Sequence, residues 1–263
     1  MYLRTPFGLA DYMSDIRTVF NAAIYEYNDE DTGDIRIKHY PFKKYKIPSI
    51  PETQKRNITA EVMRSIYNFT PPEKSRNTLA RDVFLLSFLL VGMNTADIYA
   101  LTKENYKNGR ITYNRQKTRG KRKDNAKISI KVEPEAEAIM QNYFAANNTD
   151  KLFEFCHRYP TFRNFNKAVN LGLKSVAHAL KIGENLSTYY ARHSWATIAR
   201  NDCNISKSDI AECLNHATNT ITDIYIKKDW KTIDNANKKV IGFVFRENTV
   251  KNIGANKQIN VQN

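Results

Sequence analysis

The sequence predicts a mainly α-helical protein with a small antiparallel β-sheet, an α+β chain, and three observations carry that reading. Apolar residues recur at spacings of three and four through most of the 263 residues, the period of amphipathic helices. One stretch, residues 102–132, changes to alternation and to turn residues, as a short antiparallel sheet requires. A lysine- and proline-bearing stretch before residue 56 has little period at all.

Taken in order, residues 9–26 carry apolar side chains at 9, 12, 13, 16, 19, 20, 23 and 24, which is one amphipathic helix. The next stretch, with Pro41, Pro48 and Pro51, reads as an extended linker. The division is therefore set as 1–55 (helical segment and linker), 56–246 (main domain) and 247–263 (polar tail). In the main domain, "ITAEVMRSIYNF" offers Thr59 as N-cap, "SRNTLARDVFLLSFLLVGM" is a long buried helix ending near Gly92, and "TADIYAL" is a short helix. Asn108-Gly109 marks a turn, a strand runs to about Lys117, a basic tip follows, and "AKISIKV" alternates, giving three strands at most. After Pro134 helices are expected at 134–147, 161–181, 187–202, 206–214, 218–227 and 230–239. The apolar "VIGFVF" that follows either packs on its own domain or docks into a neighbouring subunit.

Charge narrows the partner. Lys and Arg number 41 against 27 Asp and Glu, a net charge of +14, and such an excess repels itself unless a polyanion is present. Nucleic acid is the commonest such partner, with anionic membrane surfaces and ribosomal RNA as rivals. No run of 18 apolar residues exists, so no membrane span is expected. The amino terminus lacks the charged and apolar regions of a signal peptide, which predicts a cytoplasmic protein. Cys156, Cys203 and Cys213 have no metal-ligand spacing and suit reduced thiols.

Two local features call for an anion. Between Lys107 and Lys131 there are ten Lys or Arg and one acid, Asp124. Arg115, Lys117 and Arg119 alternate with Gln116 and Thr118, so they leave one face and repel unless phosphate sits between them. Arg115 and Arg119, with Lys121, Arg122 and Lys123, form the expected nucleic-acid-binding tip. The second feature is Arg192 in "LSTYYARHSWATIARN", which shares a helical stripe with Trp195, Ala196 and Ala199. A cation leaving from an apolar stripe needs an anionic partner, internal or bound. His216 follows it by 24 residues, at the turn between two short helices, and Tyr225 follows His216 by 9.

This ordered set resembles the tyrosine recombinases, or phage integrases. "ARHSWAT" is similar to the family's Arg-His pair, "CLNHAT" to its Leu-Gly-His turn with Asn215 in the glycine position, and "TITDIYIK" to the segment bearing its nucleophilic tyrosine. "GMNTADIYAL" matches the acidic residue after the long helix with Asp97, and "RQKTRGK" the hairpin lysine with Lys117. The likeness spans residues 57–245; residues 1–50 resemble only the last part of the family's helical core-binding domain. Two positions depart from the pattern: Asn94 stands where the family has its first arginine, and Tyr189 where it has a histidine three residues before the second.

The resemblance implies a recombinase catalytic-domain fold, preceded by part of a helical DNA-binding domain. It also implies site-specific cleavage and rejoining of double-stranded DNA through a 3′-phosphotyrosyl link, as in integrases of bacterial mobile elements. Tyr225 would be the nucleophile, Arg192 the phosphate clamp and Lys117 the general acid. His216 would hydrogen-bond the phosphate or assist proton transfer, Asp97 would orient its neighbours, and Tyr189 would donate one hydrogen bond. No metal or other cofactor is implied, because the covalent link preserves the bond energy. Partners would be double-stranded DNA, further copies in a tetramer on DNA and a DNA-bending accessory protein, at the nucleoid in the cytoplasm. With the arginine absent at 94, Arg115 is the expected replacement cation. The alternatives are a DNA-binding regulator, an impaired recombinase relative, or an RNA-binding or ribosomal protein; the last leaves the Arg, His and Tyr spacing unexplained.

Overall fold

The computed structural model describes residues 6–48, 56–146, 148–183, 185–216 and 229–246. The chain divides into two units, Met1–Lys55 and Arg56–Asn263.

In the first unit, helix α1 (Pro6–Tyr27) is followed by a two-stranded antiparallel pair, β1 (Asn28–Asp29) and β2 (Asp34–Ile35), and a 3-10 turn at Pro41–Lys43. The stretch read as an extended linker is thus partly folded. Its order comes from Asn28, whose side chain accepts from Ile37 N–H at 2.7 Å and donates to Ile37 O at 2.9 Å. Phe20 also packs against Tyr40 and Phe42, with ring centroids 5.9 and 6.2 Å apart.

The second unit is built on α3 (Arg76–Leu89), whose residues from Leu79 to Leu89 are all buried except Arg81. A helix apolar on every side must be covered on every side. Covering it are α2 (Ala60–Asn68), α5 (Pro134–Gln141), α7 (Phe162–Ala179) and α8 (Thr188–Asn201). The tightest crossing is with α7, where a Cβ on Gly172 would lie 2.5 Å from that of Ala80. Thr59, Ser75 and Thr161 cap α2, α3 and α7 through their hydroxyls, as their positions before apolar runs predict. Short helix α4 (Thr95–Ala100) follows α3.

The sheet has the order β3-β4-β5, all antiparallel, from β3 (Tyr106–Lys107), β4 (Arg110–Asn114) and β5 (Lys127–Lys131). Asn108 and Gly109 take φ of 51° and 68°, the left-handed pair that a two-residue hairpin demands. Ile111 and Tyr113 pair with Ile130 and Ile128 and face the core. The remaining α-helices among the described residues are α6 (Phe155–Arg158), α9 (Lys207–Cys213) and α10 (Lys231–Ile241). Asn237 of α10 joins three elements: it accepts from Trp195 Nε1 at 3.0 Å and donates to Leu89 O at 2.8 Å.

Two expectations need correcting, and one left open between two outcomes is decided. The strand through Lys117 stops at Asn114, because the N–H groups of Thr118 and Arg119 fold back onto Arg115 O at 3.2 and 2.9 Å and make a helical turn. The helix expected over 134–147 ends at Gln141, because the chain at 143–145 pairs instead with residues 152–154, where Phe144 stacks on Phe153. The apolar "VIGFVF" is used within its own unit. Val240 and Val244 are buried, and Phe245 lies 4.7 Å from the Tyr67 ring and 6.0 Å from that of Phe88. Arg246 closes this segment by pairing with Glu133 and Glu135. The helix expected at 218–227 and the polar tail lie outside the described residues. No helix among the described residues is long and apolar enough to cross a membrane.

Candidate anion site at Arg192

Arg192 leaves the second turn of α8 and lies under the end of α3. Its Nη1 donates to Gly92 O at 3.0 Å and its Nη2 to Leu214 O at 2.5 Å. The α3–α4 turn supplies the first carbonyl by an unusual backbone: Val91 and Gly92 have φ of 61° and 65°. A Cβ at Gly92 would stand 2.8 Å from Arg192 Cα and 2.9 Å from its Cγ, so only glycine leaves the arginine its seat. Both anchors are neutral, and among the described residues no carboxylate lies within 4.0 Å of this guanidinium. Burial pulls its pKa down to about 10, Arg115 pulling the same way against Tyr113, Asp97 and Tyr189. It stays charged at neutral pH.

Arg115 is the second cation. It stands one residue past β4, its N–H donating to Ala126 O at 3.1 Å. Its side chain is half-buried, and its Nε is buried with no hydrogen-bond partner among the described residues. Its charge acts on Arg192, Asp97, Tyr113 and His216. The two guanidiniums thus lie within electrostatic reach of each other, and among the described residues the buried Arg115 Nε has no acceptor. An unpartnered buried N–H is rare enough to require a cause, of which a missing ligand is one.

Asp97 in α4 sits beside both cations. It is buried, and its Oδ1 accepts from Gln116 N–H at 2.9 Å, which holds the turn after β4 against α4. Burial raises its pKa, opposed by that N–H, by Arg115 and Arg192 and by Asn94. Asn94 is the N-cap position of α4, its carbonyl accepting from Asp97 N–H at 2.9 Å and Ile98 N–H at 3.0 Å. A short polar residue there serves the helix start and Asp97 and brings no charge.

His216 arrives by a helix C-cap. Asn215 takes φ of 52°, its N–H donates to Glu212 O at 2.8 Å, and His216 N–H donates to Ala211 O at 2.9 Å. This double return of the chain past α9 is the Schellman pattern, in which glycine or asparagine takes the left-handed place. Partial burial of the His216 ring, then Arg192 and Arg115, hold its pKa below the usual 6.5.

Tyr189 lies one turn before Arg192, half-exposed, its ring 4.4 Å from that of His193 and 5.8 Å under the Arg56 guanidinium. Lys117, Arg119, Lys121 and Lys123 are exposed and form no ion pair among the described residues. Because the strand has ended, Arg119 does not share a strand face with Arg115; it lines a cleft of about 550 Å³ with Asp97, Asn105 and Asn125. Arg122 turns inward, donating to Asp124 at 2.8 and 2.5 Å and to Asn215 O at 3.0 Å. Tyr225 lies outside the described residues.

Arg192, Asp97 and His216, drawn from three separate segments, are brought together with Arg115. Gly92 and the Leu214 carbonyl, which seat Arg192, are parts of the candidate site that reading the sequence missed; the glycine in "LLVGMN" was the available signal for one, and a main-chain acceptor leaves none. Among the described residues no three His, Cys, Asp or Glu side chains converge as a metal site would need. No protein-family model, curated protein or solved structure matches the chain.

Proposed function

We propose that the chain cuts and rejoins DNA at specific sites as a tyrosine recombinase does, and one observation carries the proposal. Arg192 is held by two neutral carbonyls within electrostatic reach of Arg115 and His216, and among the described residues no carboxylate pairs with either arginine. That arrangement suits the two non-bridging oxygens of a phosphodiester. Arg192 would take one oxygen, Arg115 the charge that position 94 lacks, and His216 a third hydrogen bond. The phenolic oxygen of Tyr225 would form a bond to phosphorus as the bond to the 5′ oxygen breaks. The phenol gives up its proton, and Lys117 supplies one to the departing oxygen. Religation reverses each transfer, so no energy source is consumed.

A second reading, a DNA-binding protein without this chemistry, is favoured by Asn94. Incubating the protein with a nicked duplex carrying its recombination site, then denaturing it, separates the two. The recombinase leaves a covalent protein–DNA adduct that Tyr225→Phe abolishes while binding persists. A protein that binds the same duplex and leaves no adduct is a regulator. With the described "VIGFVF" segment packed on its own unit, assembly into a tetramer would have to use another surface.

A further inference from the structure

The side chain at position 215 does something that a glycine could not. Its left-handed φ of 52° accounts for a glycine or an asparagine equally. Yet Asn215 is only 4% exposed, and its Nδ2 donates across 89 residues to Ala126 O at 2.7 Å. That same oxygen accepts from Arg115 N–H at 3.1 Å, so both of its lone pairs are used. One carbonyl therefore joins the backbone of Arg115 to the residue before His216. A second bond runs beside it, Arg122 Nη1 to Asn215 O at 3.0 Å. Arg122 is in turn held by Asp124, whose Oδ1 also accepts from Ala126 N–H at 3.0 Å. Asn125 and Ala126 sit at φ of 52° and 51°, a backbone that non-glycine residues hold only where their surroundings fix it.

We infer that Asn215 and Arg122 are positioning residues: they tie the turn bearing Arg115 and Lys117 to the segment bearing His216, so that the site is assembled before substrate arrives. The inference rests on the recombinase reading for its catalytic consequence, and on the hydrogen bonds alone for its structural one. Preorganised charge is worth more than charge that must be gathered at the moment of reaction. Arg115 and Arg192 repel, and in the absence of an anion that repulsion would push the turn outward unless something held it.

The test compares the wild-type chain with Asn215→Gly, which keeps the left-handed backbone and removes only the Nδ2 donor, and with Asn215→Asp, which keeps the size and replaces the donor by an acceptor. Three quantities are read: thermal stability, amide hydrogen exchange over residues 115–121 in the DNA-free protein, and single-turnover adduct formation at saturating nicked duplex. The tie predicts that Asn215→Gly melts within a few degrees of wild type and binds DNA equally well. It also predicts that Asn215→Gly exchanges faster over 115–121 and forms adduct about tenfold more slowly, the size of effect that one neutral hydrogen bond supports. Asn215→Asp should be at least as slow. Unchanged exchange and unchanged adduct rate in Asn215→Gly would overturn the proposal and leave Asn215 as a helix cap. If the wild-type protein forms no adduct, the recombinase reading fails; faster exchange in the glycine variant would then still uphold the tie, and unchanged exchange would end it too.

Discussion

Replacing Gly92 by alanine tests the seat of Arg192 directly. The added Cβ would lie 2.8 Å from Arg192 Cα, 2.9 Å from Cγ and 3.0 Å from Cβ, against ordinary carbon contacts of about 3.5–4.0 Å. Two of these three atoms are fixed to the α8 backbone, so rotamer adjustment cannot relieve the clash; either α8 or the α3–α4 turn must move by roughly 0.7–1 Å, the shortfall from contact distance. Two costs add. Alanine at φ of 65° costs about 1–2 kcal/mol, and overpacking costs about 1–3 kcal/mol. The sum, roughly 2–5 kcal/mol, corresponds to a fall in melting temperature of about 4–20 °C for a unit of this size. Activity should fall further than stability suggests, because a shift of about 1 Å in a positioning group costs about a hundredfold. Thermal unfolding gives the first number, and adduct formation measured well below the melting transition gives the second. An alanine variant that melts with the wild type and reacts at its rate would refute the packing argument, since the distances leave no room for both.

Arg115→Ala should lower adduct formation by a hundredfold or more, on the order of one lost oxyanion donor, with a small loss of binding, whereas Arg119→Ala should weaken binding alone; equal losses in a gel assay of both would make Arg115 an ordinary DNA contact. DNA affinity should fall steeply with salt, with a log–log slope of about −0.9 per phosphate contacted, and Lys121→Ala with Lys123→Ala should flatten that slope at every DNA sequence tried. His193 and His216 are both held below the usual 6.5, by partial burial first and Arg192 next. The unfolded chain therefore binds these protons at higher pH than the folded one, so stability is present above 6.5 and should decline as pH drops through the window beneath it; urea midpoints that rise on acidification there would contradict the assignment. An anion between Arg192 and Arg115 offsets their effect on His216, so DNA binding should take up a proton in that window, visible as affinity that rises when pH falls.

The parts legible in the sequence were those with local causes. Thr59, Asn108-Gly109 and the left-handed place of Asn215 each follow from the backbone geometry that a residue type prefers. Arg192 was legible as an anomaly, a fixed charge on an apolar stripe. The turn after Asn114 was not, because Arg115-Gln116-Lys117-Thr118-Arg119 alternates in polarity like a strand, while what bends it is the acceptance of two N–H groups by one carbonyl. Equally hidden were the acceptors of Arg192, contributed by residues 100 and 22 positions away. Every residue carries a carbonyl, so nothing in the sequence distinguishes the ones that are used.

That the acceptors are carbonyls decides what the site can bind. A carboxylate in contact with Arg192 would orient it equally well but would cancel its charge, and an incoming phosphate would then meet a neutral pair and an added negative charge. Gly92 O and Leu214 O fix the direction of the guanidinium through partial charges and leave its full positive charge for a ligand. Asp97 is close enough to be felt by both arginines, yet it is committed to Gln116 N–H, and burial pushes it toward its neutral form. Arg115, whose Nε has no partner among the described residues, adds a second charge that no described carboxylate pairs with. An arginine paired with a carboxylate has its charge cancelled; Arg192 is oriented by carbonyls that leave its charge in place, and Arg115 Nε has no acceptor among the described residues, which is what the proposed phosphate-binding pair requires.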